Sequence, residues 1–400
     1  MARPQANVHV ASAAEFADRL RRVRADMARR GLASLVVSDP ANLFYLTGYD
    51  AWSFYTPQCL IVPSEGPIVL YARAMDAAGA HHTCHLPAEN VVGYPEALVH
   101  RPDTHPFEWI TASARERGLL PATADAQIAA ECDAHYFSAR AYIALVEGVG
   151  DATVVDSGEL VNWVRLVKSE PEITALRIAG TIADAAMRGA LEAVTPGRRQ
   201  CDVAADIMAL QARGTAEHGG DHTAIPPMLP TGTAAGTPHL TWSEDPFVEG
   251  EATTIELAGA FNRYHAPLAR TIHLGAAPSR LIDTAKAVDE ALTVALSELR
   301  PEAEVAAVHR AVNAVLARSG LVKESRMGYS IGIGYPPDWG ERTVSLRADD
   351  PTVLRAGMAF HVILGIWMDG WGYEASVPVV ITADGVERLA QLPPELTIRT

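Results

Sequence analysis

The chain has 400 residues, 48% hydrophobic and 20% charged, which is enough apolar material for two domains with their own cores. A net charge of −15 leaves no general basic surface for a phosphate backbone and excludes nucleic acid as a natural partner. The four cysteines, Cys59, Cys84, Cys132 and Cys201, lack the CxxC or Cys/His spacing of a zinc site and read as reduced.

The opening stretch MARPQANVHVASAAEF carries no secretory-type apolar run, and no segment approaches the roughly 18 apolar residues of a membrane span. The expectation is a cytoplasmic protein with no membrane partner. A helix is predicted from Ser12 or Ala13 to Gly31, which suits a C-cap. LASLVVSD follows as a short strand, NLFYLTGY leads into a turn at Gly48, and CLIVPSEGPIVLY reads as a hairpin turning at Ser64-Glu65-Gly66. With a further helix near Ser138–Glu147, the alternation predicts an α/β domain over residues 1–164, without a phosphate-cradling glycine loop.

Asn162–Lys168 reads as the bridge to a second domain, residues 165–400. Ser169-Glu170-Pro171-Glu172 is a helix start, with serine as cap, proline in the first turn and two acids at the positive dipole end. That helix stops at Thr195-Pro196-Gly197, and a second runs from Cys201 to about Arg213. The pair recurs as a long helix over residues 279–299 and a shorter one ending at Gly320. Strand-like sequence follows each pair, so the second domain reads as two related halves around a shared sheet and a central cleft.

Between the pairs, Thr253 to Leu274 reads as two strands joined at Asn262-Arg263. Glu256 lies inside an otherwise uncharged strand, where a carboxylate is costly unless something pairs with it or uses it. Two readings follow: an ion pair with Arg270 or Arg263, or a catalytic carboxylate.

The KSEPEI run from Lys168, the paired helices and the strand ending in Ala269-Arg270-Thr271 resemble the creatinase, prolidase and methionine aminopeptidase family. The resemblance implies an α+β chain in which a creatinase-like α/β N-terminal domain precedes a pita-bread domain with an internal pseudo-two-fold repeat. Metal-dependent members hold two ions with two aspartates, a histidine and two glutamates. Carried over one by one, the first aspartate falls on Glu256 and the second on Pro267. The histidine falls on Tyr329, the first glutamate on Ile363, and the last near Glu374, Ser376 or Val377. Proline and isoleucine supply no hard oxygen or imidazole ligand, so no metal and no other cofactor is expected.

Five stretches narrow the resemblance to the ectoine hydrolases, a metal-free branch of the family. They are Gly48–Tyr55, Gly219-Gly220-Asp221, Pro238–Trp242, Arg263-Tyr264-His265 and GYSIGIGYPPDWGERTVSL from Gly328 to Leu346. The resemblance implies opening of the cyclic amidine of ectoine to N-acetyl-diaminobutyrate. Two departures bear on the substrate. His222-Thr223 stands where a Tyr-Pro pair is expected, and Ala375-Ser376-Val377 follows Glu374 where a second carboxylate is expected.

A cyclic amidinium is planar, cationic and electrophilic at the carbon between its nitrogens. Glu256 is suited to attack that carbon as nucleophile or to activate water as general base, with Glu374 as the second carboxylate. His265 or His239 would protonate the leaving nitrogen, the alternative for each being a hydrogen-bonded core histidine. Trp52, Phe54, Trp339 and Trp371 are candidates to stack on a cationic ring, with core packing as the alternative. Arg326 would meet a substrate carboxylate, Asp221 a ring N–H, and Tyr329 is a further substrate contact. The resemblance also implies a homodimer in which Trp52 reaches the partner's site, and a small cationic or zwitterionic substrate. The competing functions are hydrolysis of another cyclic amidine or guanidino compound, and ligand binding without catalysis.

Overall fold

Ser12 starts the first helix, α1 (Ala13–Arg29), by accepting the Glu15 N–H on its hydroxyl, and Gly31 in the left-handed region ends it. The computed structural model describes residues 11–400 and divides after Arg165 into two units. In the first unit α1 is followed by β1 (Ser34–Val37), α2 (Pro40–Thr47), β2 (Cys59–Pro63), β3 (Val69–Arg73), α3 (Ala74–Thr83) and β4 (Val91–Tyr94). Then come α4 (Pro106–Glu116), β5 (Gln127–Ala130), α5 (Ala139–Gly148), β6 (Thr153–Asp156) and α6 (Leu160–Arg165). The strands form one mixed sheet in the order β4-β3-β2-β1-β5-β6.

NLFYLTGY departs from expectation, because most of it is the helix α2. Asp39 caps that helix and Pro40 opens it, yet every residue from Pro40 to Thr47 is buried. A helix buried all round shows no apolar stripe and so no helical period in its sequence.

The second unit opens on α7 (Glu170–Ala193), where Glu172 Oε2 accepts the Ser169 N–H at 2.9 Å while the Ser169 hydroxyl makes no cap bond among the described residues, and continues with α8 (Gln200–Arg213). β7 (Ala252–Phe261) and β8 (Tyr264–Leu274) pair antiparallel along their whole length, so that Glu256 faces Ala269 and Pro267 faces Ala258. Asn262 and Arg263 both take positive φ at the turn, as a two-residue hairpin connection requires. The second helix pair is α9 (Ser279–Glu298) and α10 (Val305–Arg318). After it come β9 (Gly328–Tyr335), β10 (Asp338–Ser345), β11 (Ala359–Met368), β12 (Trp371–Thr382), β13 (Gly385–Arg388) and β14 (Thr397–Arg399).

The shared sheet runs β13-β12-β11-β9-β8-β14, with β10 on β9 and β7 on β8. Each half has its own core. Ala186, Met187 and Ile207 of the first helix pair pack with Ile255, Leu257 and Leu268, while Val288, Leu292 and Val312 of the second pack with Val362, Leu364, Val377 and Val379. The pseudo-two-fold arrangement expected of the second domain is therefore present.

Two contacts fix the interior of this unit. α7 lies so close on β7 that a Cβ on Gly259 would come within 2.0 Å of the Ala179 carbonyl oxygen. Lys168 Nζ meets Glu341 Oε2 at 2.6 Å, with both side chains 1% exposed, and it also donates to the Leu166 carbonyl at 3.0 Å.

Candidate active site

A cavity of about 670 Å³ opens in the second unit. Glu256 on β7 and Glu374 on β12 both line it, and both residues are buried. Strand geometry explains how Glu374 comes to be there. Tyr373, Ala375 and Val377 pack into the core under α9 and α10, so Glu374 and Ser376 point to the opposite face.

Among the described residues neither carboxyl group accepts a hydrogen bond. Arg270, one partner foreseen for Glu256, instead donates to the carbonyls of Ala269, Ser376, Pro393 and Leu392. Arg263, the other, has its guanidinium over the Tyr335 ring at 5.4 Å. The ion-pair reading of Glu256 is thereby corrected.

Burial, then the charges of Glu374 and Asp338, holds the Glu256 carboxyl well above the usual carboxylate range. Burial raises Glu374 from 4.5 to about 7, against the pull of Lys323. Two carboxyl groups raised together in one cavity hold a proton near neutrality. A folded value above the unfolded one means that Glu374 adds stability below about 4.5, and that this is lost as pH rises through about 7. Urea unfolding of the wild type is expected to show a loss over that window which Glu374→Gln, unable to ionise, shows to a smaller degree. Identical pH slopes in the two proteins would refute the raised carboxyl.

The opposite charge enters through Lys323 and Arg326, also on the cavity wall. Burial lowers the Lys323 ammonium to about 8; its Nζ donates to Ser325 Oγ at 2.9 Å and to the Gly365 carbonyl at 3.3 Å. The Arg326 guanidinium stands 4.2 Å from the centre of the Tyr329 ring. Trp339 Nε1–H donates to Tyr329 Oη at 2.8 Å, and His361 Nδ1 lies 3.0 Å from the same oxygen. His361 Nε2 in turn meets Ser376 Oγ at 2.7 Å, which accepts the Ala269 N–H.

Of the residues singled out from sequence, Glu256, Glu374, His239, Tyr329, Trp339 and Arg326 thus share one cavity. Others lie elsewhere. His265 is fully buried, its Nε2 accepting the Ala224 N–H at 3.0 Å and its Nδ1 2.8 Å from the Arg263 carbonyl, and burial lowers it to about 3. With both nitrogens held by backbone it braces the β7–β8 turn and does not reach the cavity, which corrects its expected role as acid. Asp221 braces the same turn by accepting the Arg263 N–H at 3.0 Å. Trp371 lines a separate cavity of about 180 Å³, with the Arg280 guanidinium 5.0 Å from its ring. Trp52 and Phe54 belong to the first unit, where their rings pack at 4.9 Å; Trp52 is 59% exposed and Phe54 is buried.

Lys323, Asp338 and His361 escaped the sequence reading, and Ser376 entered it only as one of three candidate positions for the last family ligand. Asp338 stands inside the PPDWG run already singled out, and Lys323 lies a few residues before β9. His361 and Ser376 sit in apolar strands whose alternation marks them as facing away from the core.

A fold of a six-stranded α/β unit followed by a two-halved unit with a carboxylate-lined cleft defines a class of hydrolases and peptidases. Residues 174–383 match the family described as metallopeptidase family M24, and residues 19–167 match the creatinase/prolidase N-terminal domain. The chain belongs to this family, and its second unit has the pita-bread fold. It is 41% identical to the ectoine hydrolase of Halomonas elongata over 96% of this chain and 97% of that one. An uncharacterized hydrolase/peptidase of Sinorhizobium fredii is 39% identical over 97% and 98%. Among solved structures, prolidase from Thermococcus sibiricus superposes with a TM-score of 0.84 at 18% identity, covering 97% of this chain and 100% of that one.

The family description implies metal ions, and the residues present do not fit a two-metal centre. Tyr329 and Ile363 line the cavity at two of the positions that the resemblance assigns to ligands. No group of three or more His, Cys, Asp or Glu side chains placed to hold a metal occurs among the described residues. No step is therefore routed through a metal.

Proposed function

We propose that this hydrolase opens a small cyclic amidine, with ectoine as the leading candidate, and that it does so without a metal. The observation that carries the reading is Glu256: a buried carboxyl group with no hydrogen-bond partner among the described residues, facing a cavity with Lys323 and Arg326 on its wall. A zwitterion complements that charge pattern, its amidinium toward Glu256, Glu374 and Asp338 and its carboxylate toward the two cations. Glu256 attacks the amidinium carbon, and His239, on the cavity wall, activates the water that completes hydrolysis. The 41% identity to an ectoine hydrolase supports the substrate class.

The departure at His222-Thr223 leaves another cyclic amidine or a guanidino compound as the second reading, since a changed residue near a site can alter the substrate while the reaction persists. Val377 does not bear on this, because it points into the core. We also read the protein as a cytoplasmic homodimer with the exposed Trp52 offered to the partner's site; four unpaired cysteines accord with a reducing compartment.

The deciding experiment is incubation of exhaustively chelated protein with ectoine and mass analysis of the product. A gain of one water is expected, from protein that sediments as a dimer. Turnover only after manganese or zinc is added would overturn the metal-free reading, and a monomer with full activity would remove the role of Trp52.

A further inference from the structure

The hydrogens around Tyr329 can be placed. Burial lowers the His361 ring to about 3, so it carries a single ring hydrogen. Ser376 is fully buried, and its oxygen already accepts the Ala269 N–H. If the ring hydrogen sat on Nε2 it would point at that same oxygen. The serine hydroxyl hydrogen would then have no acceptor among the described residues, at a cost of about 1–3 kcal/mol. With the hydrogen on Nδ1, Ser376 donates to Nε2 and Nδ1–H donates to Tyr329 Oη. Trp339 Nε1–H donates to the same oxygen. Both lone pairs of the phenol are then occupied, and its own hydrogen is left for the cavity.

We propose that Tyr329 is the proton donor of this site, and that Ser376 and His361 are positioning residues that turn its hydrogen toward the substrate. The proposal rests on the amidine-hydrolase reading. Pairing with the cationic amidinium ionises Glu256, whose proton is released to solvent as the substrate binds; attack by the carboxylate then forms a C–O bond and moves the π pair onto nitrogen, giving a neutral tetrahedral adduct. Collapse breaks the bond from carbon to the departing nitrogen. The bond pair and the Tyr329 hydrogen both go to that nitrogen, while the lone pair of the retained nitrogen re-forms a double bond to carbon. The products are an amine, a cationic acyl imidate on Glu256 and a phenolate held by two N–H donors.

Water then adds at the same carbon and the C–O bond to Glu256 breaks. One water hydrogen returns to Tyr329, and the other passes by way of His239 to the amine, which departs as ammonium. Burial, and then the Glu256 charge once that carboxyl is ionised by the bound cation, holds the Tyr329 hydroxyl well above its ordinary range. Ester formation removes that charge at the step where the hydrogen must leave.

Two measurements test this. In protein labelled with ¹⁵N-histidine, the His361 signal, identified by its loss in His361→Gln, is expected to show hydrogen on Nδ1. Hydrogen on Nε2 would overturn the proposal whatever the substrate proves to be. With ectoine, Tyr329→Phe should lower kcat by about 10²–10⁴-fold with little change in KM, and intact-mass analysis should show an adduct that is absent from Glu256→Gln. Unchanged kcat in Tyr329→Phe would also overturn the proposal. A wild type inactive on ectoine would refute that substrate instead, and the tautomer would then decide the role of Tyr329.

Discussion

Glu256→Gln is expected to lower kcat on ectoine by at least about 10³-fold, some 4 kcal/mol of transition-state stabilisation. The amide is nearly the same size and fits the same space, so the fold stays intact, yet it neither attacks an amidinium carbon nor deprotonates water. The change also relieves the repulsion from Glu374 and Asp338 that helps raise Glu256, so the variant should be at least as stable as the wild type above neutrality. Loss of turnover without loss of stability separates a working carboxylate from a structural one. A protein that merely binds would show only weaker affinity for the cationic ligand, and retained turnover in Glu256→Gln would remove Glu256 from the chemistry altogether.

The second large effect concerns stability. Lys168→Met is expected to cost about 3–5 kcal/mol, because Glu341 is left charged and buried without its counter-ion. The pair joins the segment entering α7 to β10 across 173 residues of sequence, so its loss should loosen the unit cooperatively. Urea unfolding measures the change. The double replacement Lys168→Met with Glu341→Leu should recover most of the loss, since an apolar pair of similar volume often matches a buried ion pair. A single variant within about 1 kcal/mol of wild type would show that the pair contributes little.

What could be read from the sequence follows the range of the interactions involved. The helix starts at Ser12 and Ser169 and the turn at Asn262-Arg263 are local devices, and each forms where its residues indicate. α2 was hidden because burial on every side erases periodicity. At the site, Glu256 was visible as a charge in an apolar strand. Tyr329 was visible as a substrate contact, but its chain of partners was not, because Tyr329, His361 and Ser376 come from three strands and only the register of β9, β11 and β12 brings them together. His265 shows the converse. Its residue type suggested chemistry, while the backbone groups of Ala224 and Arg263 had already claimed both its nitrogens.

The close seating of α7 on β7 bears on how such a site can diversify. Gly259 lets main chain rest on main chain, three residues from Glu256 on the same strand. The strand that carries the carboxylate is thereby seated by a contact between two backbones as well as by the packing of Ile255 and Leu257 on either side of Glu256. The walls that meet the substrate belong to other segments: the stretch around His239, the approach to β9 and the tip of the β9–β10 hairpin. A lineage can remodel those walls for a new ring while the attacking group stays where it was, which separates the inheritance of a reaction from the inheritance of a substrate.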